Sequence, residues 1–160
     1  MDCIDLLTQQ HREVNELFER IKVASETEKY TLFEQVAEAL TIHTELEEQL
    51  FYPAVKFNDT QDLLKSSFEE HQEAKDLMEE ILDSEPEDHI FDAKFNDLVT
   101  AIQHHVFEEE SDLFPLVLQH LDGTQRNELG ARMQEMTEKL QSEEEPVDRL
   151  YDETDRPAPL

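Results

Sequence analysis

His43-Thr44-Glu45-Leu46-Glu47-Glu48-Gln49-Leu50-Phe51-Tyr52-Pro53 and His105-Val106-Phe107-Glu108-Glu109-Glu110-Ser111-Asp112-Leu113-Phe114-Pro115 are two versions of one pattern. Both read His-x-x-x-Glu-Glu-x-x-apolar-aromatic-Pro. The His and the first Glu are four residues apart, so on a helix they share a face one turn from each other. Upstream, the same face carries Phe33, Val36 and Leu40 in the first copy and Phe95, Leu98 and Ile102 in the second. Downstream, regular helical spacing continues it through Leu50 and Ala54, and through Asp112 and Leu116. Steps of three and four mark the buried seam of a bundled helix. Pro53 and Pro115 are expected to bend or end their helices.

Two more helices precede these. Residues 3 to 24 carry a seam of Ile4, Leu7, His11, Val14, Phe18 and Ile21. Residues 60 to 83 carry Leu64, Ser67, His71, Ala74, Met78 and Ile81. Ser25-Glu26-Thr27-Glu28 and Ser84-Glu85-Pro86-Glu87 have the form of helix-starting capping boxes, and Asn58-Asp59-Thr60 supplies turn and cap residues. The chain is an internal duplication. His11 matches His71 at an offset of sixty residues, and His43 and Glu47 match His105 and Glu109 at sixty-two. Each half is a helical hairpin, so the expected fold is all-α, an up-down-up-down four-helix bundle over residues 1–122. Asp122-Gly123 reads as a helix stop. Residues 123–143 form an accessory C-terminal helix with a thin seam of Leu129, Met133, Met136 and Leu140, which packs on the bundle or on a second subunit. Residues 144–160 read as an acidic, disordered tail.

Six strongly polar side chains interrupt these apolar seams: His11, His43, Glu47, His71, His105 and Glu109. A buried carboxylate without a partner costs several kcal/mol, and two in one core repel unless a proton or cation lies between them. Counted from the first turn, His11 and His43 differ by about 3 Å in height at about 1.5 Å per residue. Counted from the second turn, His43 and His71 agree as closely. Four imidazoles and two carboxylates therefore converge on the bundle axis, a ligand set for two metal ions with both glutamates bridging. His11 and His43 serve one ion, and His71 and His105 the other. Nitrogen and oxygen donors without sulfur suit iron, zinc or manganese.

The other polar residues read differently. His104 points about 100° away from His105 on its helix, and His89 and His120 lie near helix ends, so all three are expected at the surface. Glu48 and Glu110 lie on the shoulder of the seam. They either accept a hydrogen bond from a ligand imidazole on the next helix or form a solvated face. Tyr52 and Phe114 read as core, contact of Tyr52 with the metal pocket being the lesser alternative. Cys3, the sole cysteine, reads as incidental, and it excludes an internal disulfide and a cysteine-based zinc site.

Composition excludes several function classes. The 160 residues carry 41 Asp+Glu against 13 Lys+Arg, a net charge of −28. That leaves no basic face for nucleic acid or for an anionic membrane. No apolar run has the length of a signal peptide core or a membrane span, so a cytoplasmic location is expected. Neither the Glu-x-x-His pair of ferritin-like di-iron bundles nor the His-Glu-x-x-His of metalloproteases occurs.

The set of His11, His43-x-x-x-Glu47, His71 and His105-x-x-x-Glu109, with both aromatic-Pro extensions, resembles the hemerythrin-like, or HHE, domains over residues 1 to about 121. The resemblance implies a non-haem di-iron centre, carboxylate-bridged and oxo- or hydroxo-bridged. In it His11, His43, His71 and His105 would be terminal ligands and Glu47 and Glu109 bridges. It implies a small-molecule ligand: dioxygen, hydrogen peroxide or nitric oxide. The oxygen-carrying members have a fifth histidine one turn along the third helix. Here Ser67 and Lys75 stand a turn either side of His71, so one further coordination position is expected to be open, which favours reaction over reversible carriage. The alternatives are an oxygen- or iron-responsive sensing protein and oxygen storage without turnover.

Overall fold

The computed structural model describes residues 1–85 and 89–143. Its helices are α1 (Cys3–Lys22), α2 (Glu26–Leu46), α3 (Tyr52–Ala54), α4 (Gln61–Leu82), α5 (His89–Glu108), α6 (Phe114–His120) and α7 (Gly123–Ser142), with no strand among the described residues. The helix α1 packs on α2 and α4 packs on α5, forming the two hairpins of the expected four-helix bundle. The tail expected at 144–160 lies outside the described residues, as do the last two residues of the second capping box.

Two π-helical turns, Glu47–Phe51 and Glu109–Leu113, join α2 to α3 and α5 to α6. In each, the backbone N–H of the next residue reaches five residues back, Tyr52 to the Glu47 carbonyl and Phe114 to the Glu109 carbonyl. Pro53 and Pro115 follow directly. A proline ring in a regular α-helix collides with the carbonyl four residues earlier and leaves it without a donor. A widened turn accommodates both problems within a continuous rod.

The wide turns correct the sequence reading of the seam. Each adds a residue and rotates everything beyond it. Leu50, Ala54 and Leu116 are only half-buried and Asp112 is exposed, while Phe51, Tyr52, Val55, Leu113, Phe114 and Val117 are buried in their stead. Before the turns the seams run as read, from Leu7 to Ile21, from Phe33 to Glu47, from Leu64 to Ile81 and from Phe95 to Glu109.

The core has two apolar clusters. One surrounds Phe18, Phe33, Met78, Phe91 and Phe95 at the end holding the α1–α2 turn. The other gathers Leu7, Leu46, Phe51, Tyr52, Leu113 and Phe114 at the opposite end. The helix α7 completes this second cluster with Leu129, Met133 and Leu140, lying against α1, α2 and the first π turn.

Three caps differ from expectation. Asp122 is the N-cap of α7, not part of a glycine stop: its side chain accepts from the Gln125 N–H, Gln125 returns the bond, and neither glycine has positive φ. Ser25 precedes α2, but its hydroxyl engages Thr27 instead of capping the helix. Thr60 precedes α4, yet its hydroxyl bonds the loop carbonyl of Val55 at 2.7 Å. An exposed serine hydroxyl can bond water or a neighbour as easily as its helix, so pattern alone does not fix the cap.

Candidate metal centre

Between the two apolar clusters lies one polar layer. His11, His43, Glu47, His71, His105 and Glu109 all point into it, and each is at least nine-tenths buried. The two glutamates open the two π turns, so the widened backbone lies next to the carboxylates.

Each imidazole is held from outside through Nδ1. His11 donates to Glu110 Oε2 at 2.7 Å, His43 to Gln10 Oε1 at 2.6 Å, His71 to Glu48 Oε2 at 2.7 Å and His105 to Glu70 Oε1 at 2.8 Å. An acceptor at Nδ1 places the hydrogen there and turns the Nε2 lone pair inward. All four Nε2 atoms then meet the carboxylates. His43 and His71 lie 3.1 and 3.0 Å from Glu47 Oε1, while His11 and His105 lie 3.1 Å from Glu109 Oε1 and Oε2. His71 Nε2 and His105 Nε2 are 3.3 Å apart.

These atoms satisfy one another poorly. The Nε2 atoms of His11 and His43, Glu47 Oε2 and Glu109 Oε1 are buried without a hydrogen-bond partner. Native interiors pair almost all such atoms, so four orphans in one layer need another explanation. A cation held among them would supply it. Two overlapping groups have ligand atoms mutually within 4.8 Å: His11, His43, Glu47 and Glu109, and His71, His105, Glu47 and Glu109. Both carboxylates belong to both groups.

The electrostatics agree. Burial pulls the His105 pKa down, but Glu109, Glu47 and Glu70 outweigh it and hold it well above the ordinary histidine value. Burial pushes Glu47 up, and the neighbouring imidazoles, His43 foremost, bring it well below the ordinary carboxylate range. Burial and the facing Glu47 both raise Glu109, yet His105 leaves it lowered overall. The centre of the layer is therefore a place where positive charge is stabilised, whether proton or metal.

Tyr52 belongs to this layer as well as to the core. Its hydroxyl donates to Glu109 Oε2 at 2.5 Å, stands 3.2 Å from His71 Nε2, and also engages Ser67. Beside Ser67 therefore stands a phenol that the π turn has rotated inward. Burial and the charges of Glu109 and Glu47 raise its pKa well above ordinary, which keeps it a donor. Phe114, its counterpart in the repeat, stacks on His11 at 6.2 Å. Of the shoulder residues, Glu48 and Glu110 take the hydrogen-bonding alternative. Gln10 and Glu70 were missed; the available signal was that each immediately precedes a seam histidine. His104 and His89 are exposed, and His120 pairs with Asp59 at 2.8 Å away from the layer. Cys3 is fully buried, and burial first, with Asp2, lifts its thiol to about 12, so it is inert.

A remaining cavity of about 20 Å³ is walled by Val14, Leu40, Ile102 and Val106 along with the histidines. Among the described residues no helix is long and apolar enough to cross a membrane.

The comparisons with known proteins agree with this layout. A crystal structure of a hemerythrin HHE cation binding domain-containing protein from Mycobacterium kansasii superposes with a TM-score of 0.78 at 24% identity, covering 95% of this chain and 91% of that one. An uncharacterized Mycobacterium tuberculosis protein is 24% identical over 143 residues, 88% of each chain. A protein from Nostoc sp. named DNA nickase is 30% identical over 146 residues, 88% of this chain, and this chain spans only 40% of that relative's length. The family model of the hemerythrin HHE cation binding domain matches residues 2–117, which takes in all four helices of the bundle and every residue of the polar layer, and the chain belongs to that family.

Proposed function

We propose that this chain is a non-haem di-iron protein that binds, and reacts with, dioxygen, hydrogen peroxide or nitric oxide. His11 and His43 would hold one iron and His71 and His105 the other, with Glu47 and Glu109 shared between them. The observation that carries the reading is the pair of ligand groups overlapping in both carboxylates, with orphaned Nε2 and Oε atoms aimed inward. An all-oxygen-and-nitrogen donor set fits iron.

Bound iron supplies the redox chemistry; the chain's residues supply the setting. The Nδ1 anchors fix each imidazole's tautomer and orientation, so that no reorganisation is needed when a ligand arrives. Tyr52 holds a proton at Glu109 Oε2 and can share it with an oxygen-bearing ligand in the layer. Val14, Leu40, Ile102 and Val106 keep bulk water out. The residual cavity of about 20 Å³ leaves room for only a small ligand, which suits this reading.

The DNA nickase relative does not extend this reading to DNA. A net charge of −28 offers no surface to neutralise phosphates. Supercoiled plasmid should stay intact with the iron-loaded protein. A free cysteine and the charge excess suit the cytoplasm.

Metal analysis of the purified chain tests the proposal. Two irons per chain support it; no metal, or a single zinc, overturns it. Peroxide decomposition above that of free iron separates a reactive centre from sensing or storage, and a stable reversible oxygen adduct would identify storage.

A further inference from the structure

The repeat gives each half of the centre the same anchoring positions, and the halves fill them differently. Beside His11 and His43 the anchors are Glu110, whose side chain is 39% exposed, and Gln10, an uncharged amide. Beside His71 and His105 they are Glu48, 11% exposed, and Glu70, 17% exposed. Gln10 and Glu70 occupy equivalent positions, each just before a seam histidine, and so do Glu110 and Glu48.

The difference matters chemically. A carboxylate that accepts Nδ1–H draws the proton outward and makes Nε2 a stronger donor; a neutral amide does this far less. Water screens Glu110, while Glu48 and Glu70 act through drier surroundings. Lys75 offsets this in part, with Nζ 3.3 and 3.4 Å from the Glu48 oxygens. Those contacts are longer than the 2.7 Å bond from His71, so Lys75 steadies Glu48 without displacing the imidazole. Glu70 directs one oxygen to His105 at 2.8 Å and the other toward exposed His104 at 3.5 Å, with Glu108 on the same side.

We propose that the two metal positions are unequal, that the one between His71 and His105 is the tighter and fills first, and that Glu70 is the positioning residue responsible. The inference rests on the paired-metal reading above.

Co2+ titrated into the metal-free full-length chain, followed by calorimetry and ligand-field absorption, tests it. The expected result is two steps, the first tighter by about 10-fold or more. Glu70→Gln should weaken the first step toward the second, and Gln10→Glu should strengthen the second. The double exchange should separate the steps again with their order reversed. At one equivalent of Co2+ the shifted Nδ1–H resonances would then belong to His11 and His43. A gain of affinity in Gln10→Glu cannot arise from a damaged fold. Two ions taken up by the wild type in one unresolved step, or a first step untouched by Glu70→Gln, overturns the proposal and leaves the paired centre standing. Fewer than two ions bound by the wild type overturns the paired centre, and the proposal with it.

Discussion

Tyr52 and Glu109 come from opposite halves of the repeat and meet at 2.5 Å inside the polar layer. The reciprocal pair, Phe114 and Glu47, has no hydroxyl to make such a bond. One shared carboxylate is therefore hydrogen-bonded by a phenol and the other is not. Tyr52→Phe would remove this one difference between the halves and take the phenol donor from Glu109 Oε2. The expected loss is about 1–3 kcal/mol of stability in the metal-free chain, the cost of a buried acceptor left unmatched. Urea unfolding in chelator measures it; an unchanged midpoint would show that His105 alone satisfies the carboxylate.

Glu47→Ala and Glu109→Ala each remove a carboxylate common to both ligand groups. Iron content should fall from two per chain to one or none. Without metal, the facing imidazoles lose their buried partner, at a cost of about 3–5 kcal/mol. Unchanged iron stoichiometry in either variant refutes the assignment of bridges.

The layer also sets a pH window for the metal-free chain. Burial lowers His11, His71 and His105, but the facing glutamates win and all three are raised above 6.5. Their contribution is complete below the unfolded value and fades as pH rises through the raised ones. Burial raises Glu47, Glu48 and Glu109 (for Glu109 with the help of Glu47), but the imidazoles win and all three are lowered below 4.5. Their contribution is complete above the unfolded value and fades as pH falls through the lowered ones. Stability in chelator should thus be greatest between about pH 4.5 and about 6.5. Urea midpoints across pH 3 to 9 check this, and a midpoint still climbing above pH 8 contradicts it.

Gly130 lies in α7 where the N-terminal segment crosses it. A Cβ there would run into the Met1 carbonyl oxygen and come within 3.0 Å of the Cys3 amide nitrogen. Gly130→Ala gains about 1 kcal/mol of helix propensity. Overpacking against backbone costs about 1–3 kcal/mol, and backbone cannot step aside as a side chain can. The net effect should be a lower melting temperature, read by circular dichroism with metal bound. A raised one would mean that the N-terminal segment yields freely.

Much of this arrangement was legible in the sequence because seam residues obey helical spacing. His11, His43, His71 and His105 stand where Leu or Val would otherwise pack, and the repeat puts Glu47 and Glu109 one turn on. The π turns were not legible. An extra residue in a turn leaves no mark on composition, and only the Pro six residues after each glutamate hints that the backbone must widen. Regular spacing therefore carried Asp112 into the core and left contact of Tyr52 with the centre as the lesser alternative. Gln10 and Glu70 escaped for another reason. Each sits about 100° off its own seam and looks solvated from its own helix; its partner imidazole arrives from the neighbouring one.

The clasp between α7 and the start of the chain bears on how the molecule assembles. Arg126 Nε donates to Asp2 Oδ2 at 2.7 Å across a separation of 124 residues, and Asp2 also caps α1 through the Ile4 N–H. Contacts within each hairpin join neighbours in sequence and close quickly, whereas a contact spanning most of the chain carries the largest loop-closure entropy. Loop closure therefore predicts that the hairpins form before they pair with each other and before α7 docks over the first of them, an order that pulse-labelled hydrogen exchange checks. With α7 undocked, Leu6, Ile42 and Leu46 would lack the cover of Leu129, Met133 and Leu140, and that end of the bundle would present an apolar flank.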